Sequence, residues 1–237
     1  MRILTIDTSA VASAALLSFD PADPGAPVVV EADFATSDTR SHAEVLAPGV
    51  KALFTDPVIE GPALDAIVVG VGPGPFTGLR SGIAMARTLS FTWGVPLHGL
   101  MSLDALAWDV LSLAGDGGTG HAPSAVGEFV VATDARRKEV YWARYSADGS
   151  LLSGPTVSAA TEIQQVPVYG AGAGLYAAEL TANGCPVGIL DARQPTALSL
   201  GKMAAYRLQA GEPLLDSTPL YLRESDAKVP GPRKRAL

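Results

Sequence analysis

Two aspartates each follow an apolar stretch and begin a short polar turn. Asp7 closes the first apolar stretch of the chain and precedes Thr8 and Ser9, and Asp134 closes another one near its middle. Carboxylate and hydroxyl oxygens suit magnesium and the phosphates that it carries. Asp is also a common turn residue, so either position alone is equally typical of a capped turn. Facing one cleft, Asp7, Thr8, Ser9 and Asp134 would form a site for magnesium-bound ATP or ADP.

A glycine-rich run in the second half of the chain could complete this nucleotide site. Residues 170–174 alternate Gly and Ala before a predicted helix, where backbone N–H groups can meet an anion. Gly170 and Gly172 therefore join the predicted nucleotide-binding residues. The alternative is a strand-to-helix turn that needs glycine only for its backbone freedom. The cations at 136–138 could neutralise a phosphate, but charge runs in hairpin turns are usually solvated.

The segment 68–90 resembles a phosphate loop but lacks the residues that such a loop needs. An apolar run leads into a Gly/Pro turn and a small-residue helix, yet Gly78 is followed by Leu and Arg. A Walker loop requires Lys and then Ser or Thr at this place. Two prolines also remove backbone N–H donors from the turn. These glycines are therefore expected to serve packing.

Gly78, Gly82 and Ala86 recur at four-residue spacing, which clears one face of a predicted helix from Thr77 to about Trp93. The cleared face suits either close packing on the chain's own sheet or the close approach of another subunit. The second interpretation predicts a dimer interface made by this helix and by a helix at about 41–54. Its predicted residues are Val45, Val50, Leu53, Gly78, Leu79, Gly82, Ile83 and Ala86.

Histidine and cysteine are too sparse to predict a metal site. The chain has three histidines, His42, His98 and His121, and one cysteine, Cys185. No two of the histidines lie within one helical turn, and a lone cysteine forms neither an intramolecular disulfide nor a thiolate cluster. The Ser-His-Ala-Glu stretch at 41–44 instead suits a helix capping box. No bound metal and no catalytic residue are predicted.

The composition is that of an acidic globular protein, with 48% hydrophobic residues and a net charge of −7. An acidic surface repels phosphate backbones, so nucleic-acid binding by the chain alone is not expected. The exception is a basic tail, in which a solvated segment and a helper contact to RNA remain alternatives. No apolar run approaches the ~18 residues of a membrane span, and a cytoplasmic protein is expected. The tail cations are Lys228, Arg233, Lys234 and Arg235.

The chain contains the same order of predicted elements twice. Three strands, a helix, a strand, a helix and a short strand are followed by a Gly-rich linker, and then a similar order begins again. This order predicts an α/β protein with two lobes, each a mixed sheet flanked by helices. The predicted boundaries are a first lobe at 1–114, a linker at 115–124, a second lobe at 125–225 and a basic tail at 226–237.

Several long motifs occur in an order that resembles the TsaB (YeaZ) family, the partner subunit in bacterial synthesis of threonylcarbamoyladenosine on tRNA. The resemblance spans most of the chain. It is carried by ILTIDTS at 3–9, SHAE at 41–44, GPGPFTGLRSG at 72–82, TDARRKEVYWARY at 133–145 and PLYLR at 219–223.

The resemblance implies an actin-like, ribonuclease H-like two-lobed (ASKHA) fold and a structural, activating role. The expected partners are the catalytic paralogue TsaD, which modifies adenosine 37, and the small ATPase TsaE. Contact with tRNA is expected through the complex only, and homodimerisation is expected when the chain is alone. In the paralogue two histidines four residues apart bind the metal, and the matching positions here are Ser102 and Leu106. No cofactor of its own is expected, with ATP or ADP and magnesium as the alternative.

Three other functions are left open by the residues. The chain could be an active actin-like ATPase or carbamoyl-type transferase that uses Asp7 and Asp134 around magnesium. An old label of the family, metalloglycoprotease, is opposed by the absent histidine pair. Direct tRNA binding is opposed by the net charge of −7.

Overall fold

A computed structural model describes residues 1–37, 42–113, 127–163 and 165–223. Four predictions lie outside these residues and concern Ser41 of the capping box, the linker at 115–124, His121 and the basic tail at 226–237.

The first sheet consists of β1 (Arg2–Asp7), β2 (Ser13–Ser18), β3 (Val29–Ala35), β4 (Ala66–Gly70) and β5 (Leu97–Leu100). Their spatial order is β3-β2-β1-β4-β5. β1 pairs antiparallel with β2 and parallel with β4, so the sheet is mixed. β1 and β4 are buried along nearly their whole length because both faces of the sheet are covered.

The second sheet consists of β6 (Phe129–Asp134), β7 (Val140–Tyr145), β8 (Leu151–Ser158) and β9 (Val168–Tyr169). Their spatial order is β8-β7-β6-β9, and β6 pairs antiparallel with β7 and parallel with β9. This order and these directions reproduce those of β3, β2, β1 and β4. The repeated element order predicted from the sequence therefore corresponds to a repeated sheet topology.

Seven helices lie in the described residues: α1 (His42–Ala52), α2 (Pro57–Glu60), α3 (Phe76–Trp93), α4 (Ser102–Ser112), α5 (Ala171–Leu175), α6 (Ala177–Ala182) and α7 (Ala197–Gln209). Helix α1 continues through Pro48. Helix α3 ends at Gly94, whose φ of 69° is the left-handed conformation that closes many helices.

Three clusters of buried apolar side chains divide the molecule into five layers. Side chains of α1 and α3 pack on the outer face of the first sheet, around Leu4 and Ile67. Side chains of α4 and α7 lie between the two sheets, against Leu17 of the first and Phe129 of the second. A third cluster, which includes Leu180 of α6, covers the outer face of the second sheet. The predicted two-lobed α/β fold of actin-like, ribonuclease H-like type is confirmed.

In the second half of the chain, apolar patterns predict a helix at 175–183 and a strand at 187–190, and the structure differs from both predictions. The stretch 187–190 is not a strand, and Val187 makes only a single bridge to Val168. The helix expected at 175–183 is split into α5 and α6, which meet at Tyr176. A stretch of four apolar residues is typical of a strand, but pairing along its length depends on a free sheet edge, which the sequence does not show.

The segment 211–223 crosses from the first sheet to the second. Leu215 bridges to Gly99 of β5, and the backbone N–H of Leu220 donates to the carbonyl of Val71 at 2.8 Å. Arg223 then forms an ion pair with Glu139 in the hairpin that joins β6 and β7 of the second sheet. We call residues 211–223 the strap, because these contacts tie the two sheets together outside the helical layer.

Candidate functional site

Asp7 lies where β1 ends, and its side chain is completely buried. Its Oδ1 accepts hydrogen bonds from the backbone N–H and the hydroxyl of Ser9, at 2.8 and 2.7 Å. Its Oδ2 accepts one from the hydroxyl of Ser102 at 2.6 Å. This carboxylate therefore joins the first turn of the chain to the beginning of α4.

Thr8 contacts the glycine stripe of α3, the face of the helix that carries Gly78, Gly82 and Ala86. Its hydroxyl donates to the carbonyl of Gly78 at 2.7 Å. A Cβ added at Gly82 would overlap the Thr8 hydroxyl. The glycine stripe therefore packs against the turn after β1. This contact agrees with the alternative in which the glycines allow close packing within the chain's own fold.

Most of the predicted dimer-interface residues face the chain's own core, and their part in a dimer interface stays a prediction. Seven of the eight are buried within the described chain, and only Val45 is partly exposed. The period of 3.6 identified an apolar face, but it could not say whether the chain or a partner covers it. The buried members are Val50, Leu53, Gly78, Leu79, Gly82, Ile83 and Ala86.

Asp134 lies at the end of β6 and interacts with the hairpin that follows. Its Oδ1 accepts a hydrogen bond from the backbone N–H of Arg136 at 2.8 Å, and its Oδ2 pairs with that guanidinium at 3.2 Å. Its side chain is 25% exposed. Asp134 therefore caps the hairpin turn, which was one of the two alternatives for this residue. Its carboxylate also remains partly accessible to solvent.

Gly170 and Gly172 lie against the end of β6. Gly170 has a φ of 95°, and a Cβ on either residue would collide with the backbone near Ala132. These contacts require glycine for close packing, in agreement with the turn interpretation. Helix α5, which begins after Gly170, has only five residues. Nucleotide binding by these glycines stays a prediction.

Helix α4 connects the two groups of predicted nucleotide-binding residues. Ser102, in its first turn, bonds to Asp7 and accepts a hydrogen bond from the backbone N–H of Gly72 at 3.1 Å. Leu106, one turn later, lies beside Gly170 and belongs to the central core. The positions that match the paralogue's histidine pair thus lie between the two turns, and both are buried.

No group of three or more His, Cys, Asp or Glu side chains that could hold a metal ion occurs in residues 1–37, 42–113, 127–163 and 165–223. Cys185 is buried, and its thiol donates to the carbonyl of Ile163 at 3.4 Å. His98 lies in β5 at the edge of the first sheet.

A buried ionic network between α4 and α7 was missed by the sequence analysis. The Asp104 carboxylate accepts a hydrogen bond from the Tyr145 hydroxyl at 2.7 Å and pairs with Arg207 at 3.1 Å. Burial raises the pKa of Asp104, and Arg207 and Tyr145 oppose this effect. Burial, with the nearby Asp104 charge, also raises the pKa of Tyr145 well above 10, which keeps its hydroxyl a donor. In the sequence, this network is indicated only by the position of Asp104 among apolar residues of a predicted helix.

A cavity of about 560 Å³ opens beside this network. It lies on the side of α4 that carries Asp104, whereas Ser102 and Leu106 contact Asp7 and Gly170. Its walls come from α4, α7, the β7–β8 turn and the strap. The cavity is therefore separate from the predicted nucleotide site.

In the part of the chain that the structure describes, none of the helices is both long enough and apolar enough to span a membrane.

Two lobes with repeated topology, a shared helical layer and an aspartate turn at the end of each first strand define an actin-like, ribonuclease H-like protein. The family model of TsaD, tRNA N6-adenosine threonylcarbamoyltransferase, matches residues 31–209. An uncharacterized protein of Mycobacterium tuberculosis is 38% identical over 201 residues, which are 85% of this chain and 84% of that protein.

Named relatives identify the branch of the family. The Escherichia coli tRNA threonylcarbamoyladenosine biosynthesis protein TsaB is 32% identical over 148 residues, or 62% of this chain and 56% of that protein. The structure of YeaZ from Pseudomonas aeruginosa superposes with a TM-score of 0.71 at 26% identity, covering 93% of this chain and 99% of that one. The chain belongs to the TsaB (YeaZ) family, as the motifs of the sequence indicated.

Proposed function

We propose that the chain is the structural and activating subunit that pairs with TsaD in the N6-threonylcarbamoylation of adenosine 37, in tRNAs that read codons beginning with A. The family membership is the observation that carries this proposal. It assigns the chain to the biosynthesis of threonylcarbamoyladenosine in tRNA. The non-catalytic role and the pairing with TsaD are the two points that we add to this assignment.

The non-catalytic role is supported by the residues between the two aspartate turns. Ser102 and Leu106 stand where the resemblance expects the metal-binding histidines of the paralogue. A hydroxyl and a hydrocarbon do not replace two imidazole ligands. The Ser102 hydroxyl is also engaged with Asp7 and Gly72, so it is committed to the fold.

The pairing with TsaD is assigned to the outward faces of α1 and α3, since their inward faces are covered by the chain's own core. The outward face of α3 carries mainly small side chains, and α1 exposes Ala47 and Pro48 beside it. Small side chains let a partner helix approach closely. Two such helices can cover the ~800 Å² that each partner of an ordinary stable interface buries. Among the exposed α3 residues, Arg80 and Arg87 contact the strap. The other exposed α3 residues are Thr77, Ala84, Thr88, Phe91 and Thr92.

The same surface would join two copies of the chain when TsaD is absent, because an uncovered apolar patch favours self-association. TsaE would join the TsaD-bound form. The chain is proposed to act in the cytoplasm and to need no metal or nucleotide of its own. Heat released on titration with ATP, ADP and magnesium would contradict the last point, and Asp7, Asp134 and Gly170 would then be the residues to substitute.

Reconstitution of tRNA modification tests the proposed function. TsaD, TsaE and a source of threonylcarbamoyl groups would be incubated with unmodified tRNA, with and without this chain, and the modified adenosine would be measured by mass spectrometry. Modification should require the chain, although the chain alone should produce none. Turnover by the chain without TsaD, abolished in Asp7→Ala, would instead establish an active enzyme.

A further inference from the structure

The cavity beside the buried ionic network has a volume of about 560 Å³, and the chain's own contacts hold its walls in place. The β7–β8 turn is closed by hydrogen bonds from the Ser146 N–H to the Ser150 carbonyl at 2.9 Å and from the Gly149 N–H to the Ser146 carbonyl at 3.0 Å. The strap is fixed by two backbone hydrogen bonds between Leu215 and Gly99, at 2.7 and 3.0 Å. The cavity is therefore preformed, and its volume lies within the range of about 300–1,000 Å³ that is typical of ligand sites.

The walls of the cavity are mainly apolar. Leu151 of β8 and Leu215 of the strap are each 44% exposed, although both line the cavity. Met101 and Met203, which also line it, are almost completely buried. Part of the apolar lining is thus in contact with water, and a bound apolar group that covers it would gain free energy. The other aliphatic lining residues are Pro155 and Leu220.

The charged groups of the walls are predominantly negative. Asp104, Asp148 and Glu212 supply carboxylates to the lining. Arg207 supplies a guanidinium, which pairs with Asp104 at 3.1 Å, whereas its Nε lies 4.0 Å from the Glu212 carboxylate and beyond hydrogen-bonding distance. The hydrogen bond from the Ser146 hydroxyl lowers the pKa of Asp148, which keeps this carboxylate charged. Even when Asp104 carries a proton, the remaining carboxylates outnumber the guanidinium.

We propose that this cavity binds a small organic amine with an apolar body, at a site separate from the nucleotide-binding residues predicted from the sequence. The Glu212 side chain is 57% exposed, so its carboxylate can accept hydrogen bonds from the ammonium group. The apolar body then lies against Leu151 and Leu215. The negative balance of the walls repels phosphates and carboxylates, which disfavours nucleotides as ligands of this cavity. The site does not depend on pairing with TsaD.

The test measures binding of naphthylethylamine to the purified full chain by ligand-observed NMR. Naphthylpropionate has a carboxylate on the same ring and linker, naphthylethanol has a neutral hydroxyl, and octylamine places the amine on a flexible chain. Both amines should bind saturably. Naphthylethylamine should bind about tenfold more tightly than naphthylethanol, because a charged hydrogen bond contributes more than a neutral one. Naphthylpropionate should bind most weakly, because its carboxylate is repelled.

Two kinds of variant assign the binding to this cavity. Leu215→Trp places a larger side chain in the cavity and keeps the backbone hydrogen bonds to Gly99, and Leu151→Trp fills the cavity from β8. Each should weaken the binding of both amines by about tenfold or more, because the space for the apolar body is lost. Glu212→Gln should weaken amine binding about tenfold and leave the binding of naphthylethanol unchanged, because only the charge of the carboxylate is removed.

The controls are Ile189→Trp and Glu179→Gln, which make the same changes at exposed positions outside the cavity lining. Both should bind the amines like the wild type, and circular dichroism with the urea midpoint identifies the folded variants. The inference is overturned if neither amine binds saturably, or if naphthylpropionate binds as tightly as naphthylethylamine. It is also overturned if a folded tryptophan variant at Leu151 or Leu215, or Glu212→Gln, keeps full amine affinity. A control that loses as much affinity as its counterpart overturns it as well.

Discussion

Asp7 shows how a residue that could bind magnesium is used by the fold. Its two carboxylate oxygens accept three hydrogen bonds from Ser9 and Ser102, and its side chain is fully buried. A buried carboxylate is stable only if such partners compensate its lost hydration. Asp7 therefore has a structural role at the junction of β1 and α4, whether or not a nucleotide also binds nearby.

Gly82→Ala tests the intramolecular role of the glycine stripe. The added methyl group would overlap the Thr8 hydroxyl, so the variant should lose about 1–3 kcal/mol of unfolding free energy in urea denaturation. Gly188→Ala is the matched control, because a Cβ there meets nothing within 4 Å. Equal stability of the two variants would show that α3 does not pack closely on Thr8.

Asp104→Asn tests the buried ionic network through its pH dependence. Burial raises the pKa of Asp104 above its ordinary value of 3.8, so the folded chain keeps a proton that the unfolded chain has lost. The stability contributed by this group is therefore complete below pH 3.8 and falls as the pH rises towards the folded-state pKa.

The free energy of unfolding of the wild type, minus that of Asp104→Asn, should accordingly decrease as the pH rises above 3.8. Chemical denaturation at a series of pH values measures this difference. Glu212→Gln is the control, because its exposed carboxylate lies 4.0 Å from Arg207 and should change the profile little. If this difference grew with pH instead, the charge of Arg207 would lower the pKa of Asp104 by more than burial raises it.

At the scale of elements, α3 has two faces with different tasks. The inward face, with Leu79 and Ile83, completes the outer core of the first sheet. The side next to the strap is held by Arg87, which donates to the carbonyl of Ser217 at 2.8 Å, and by Arg80, whose guanidinium lies over Phe76 and Tyr221. Only the outward face of α3 remains for a partner.

Phe91→Asp tests the outward face of α3. Phe91 is 89% exposed, so its replacement should not disturb the core, but a charge there should weaken binding to TsaD by about tenfold or more. Ile189→Asp is the control, since Ile189 is 66% exposed in the second lobe. Titration calorimetry with TsaD would measure both, and equal affinities would remove α3 from the proposed interface.

At the scale of the whole molecule, the two lobes share one helical layer. Helices α4 and α7 place side chains such as Leu103 and Leu200 in the same core as Phe129 and Tyr145 of the second sheet. The last helix of the chain packs on the first sheet and on α4, although the sequence assigned it to the second lobe. The predicted lobe boundaries themselves remain predictions.

The shared core predicts that both lobes unfold together. Trp93 contacts Phe54 in the first lobe, whereas Trp142 donates to the Ser158 hydroxyl in the second. Variants that keep only one of these tryptophans should show the same urea midpoint. Leu103→Ala, with a cost of about 2–5 kcal/mol, should lower both midpoints equally. Two separate midpoints would contradict a common cooperative unit.

The elements whose limits were predicted most accurately are those that depend mainly on their own residues and little on distant partners. The sequence pattern predicts strands at 2–7 and 140–145, and the structure has them at Arg2–Asp7 and Val140–Tyr145, because apolar runs with turn residues beside them have few alternatives. Pairing at 187–190 could not be predicted in this way, since a strand also needs a partner with unpaired backbone groups. The sequence likewise could not predict which helices pack together or which sheets face each other.

The family, the order of the elements and the two-lobed fold could be predicted from the sequence, because motifs and hydrophobic periodicity are properties of neighbouring residues. The direction in which each apolar face points became known only from the folded chain. The fold turns the α3 stripe towards Thr8, encloses Asp7, and pairs Asp104 with Arg207. These contacts join residues that are distant along the chain, and local pattern carries no information about which distant residue fills a cleared face.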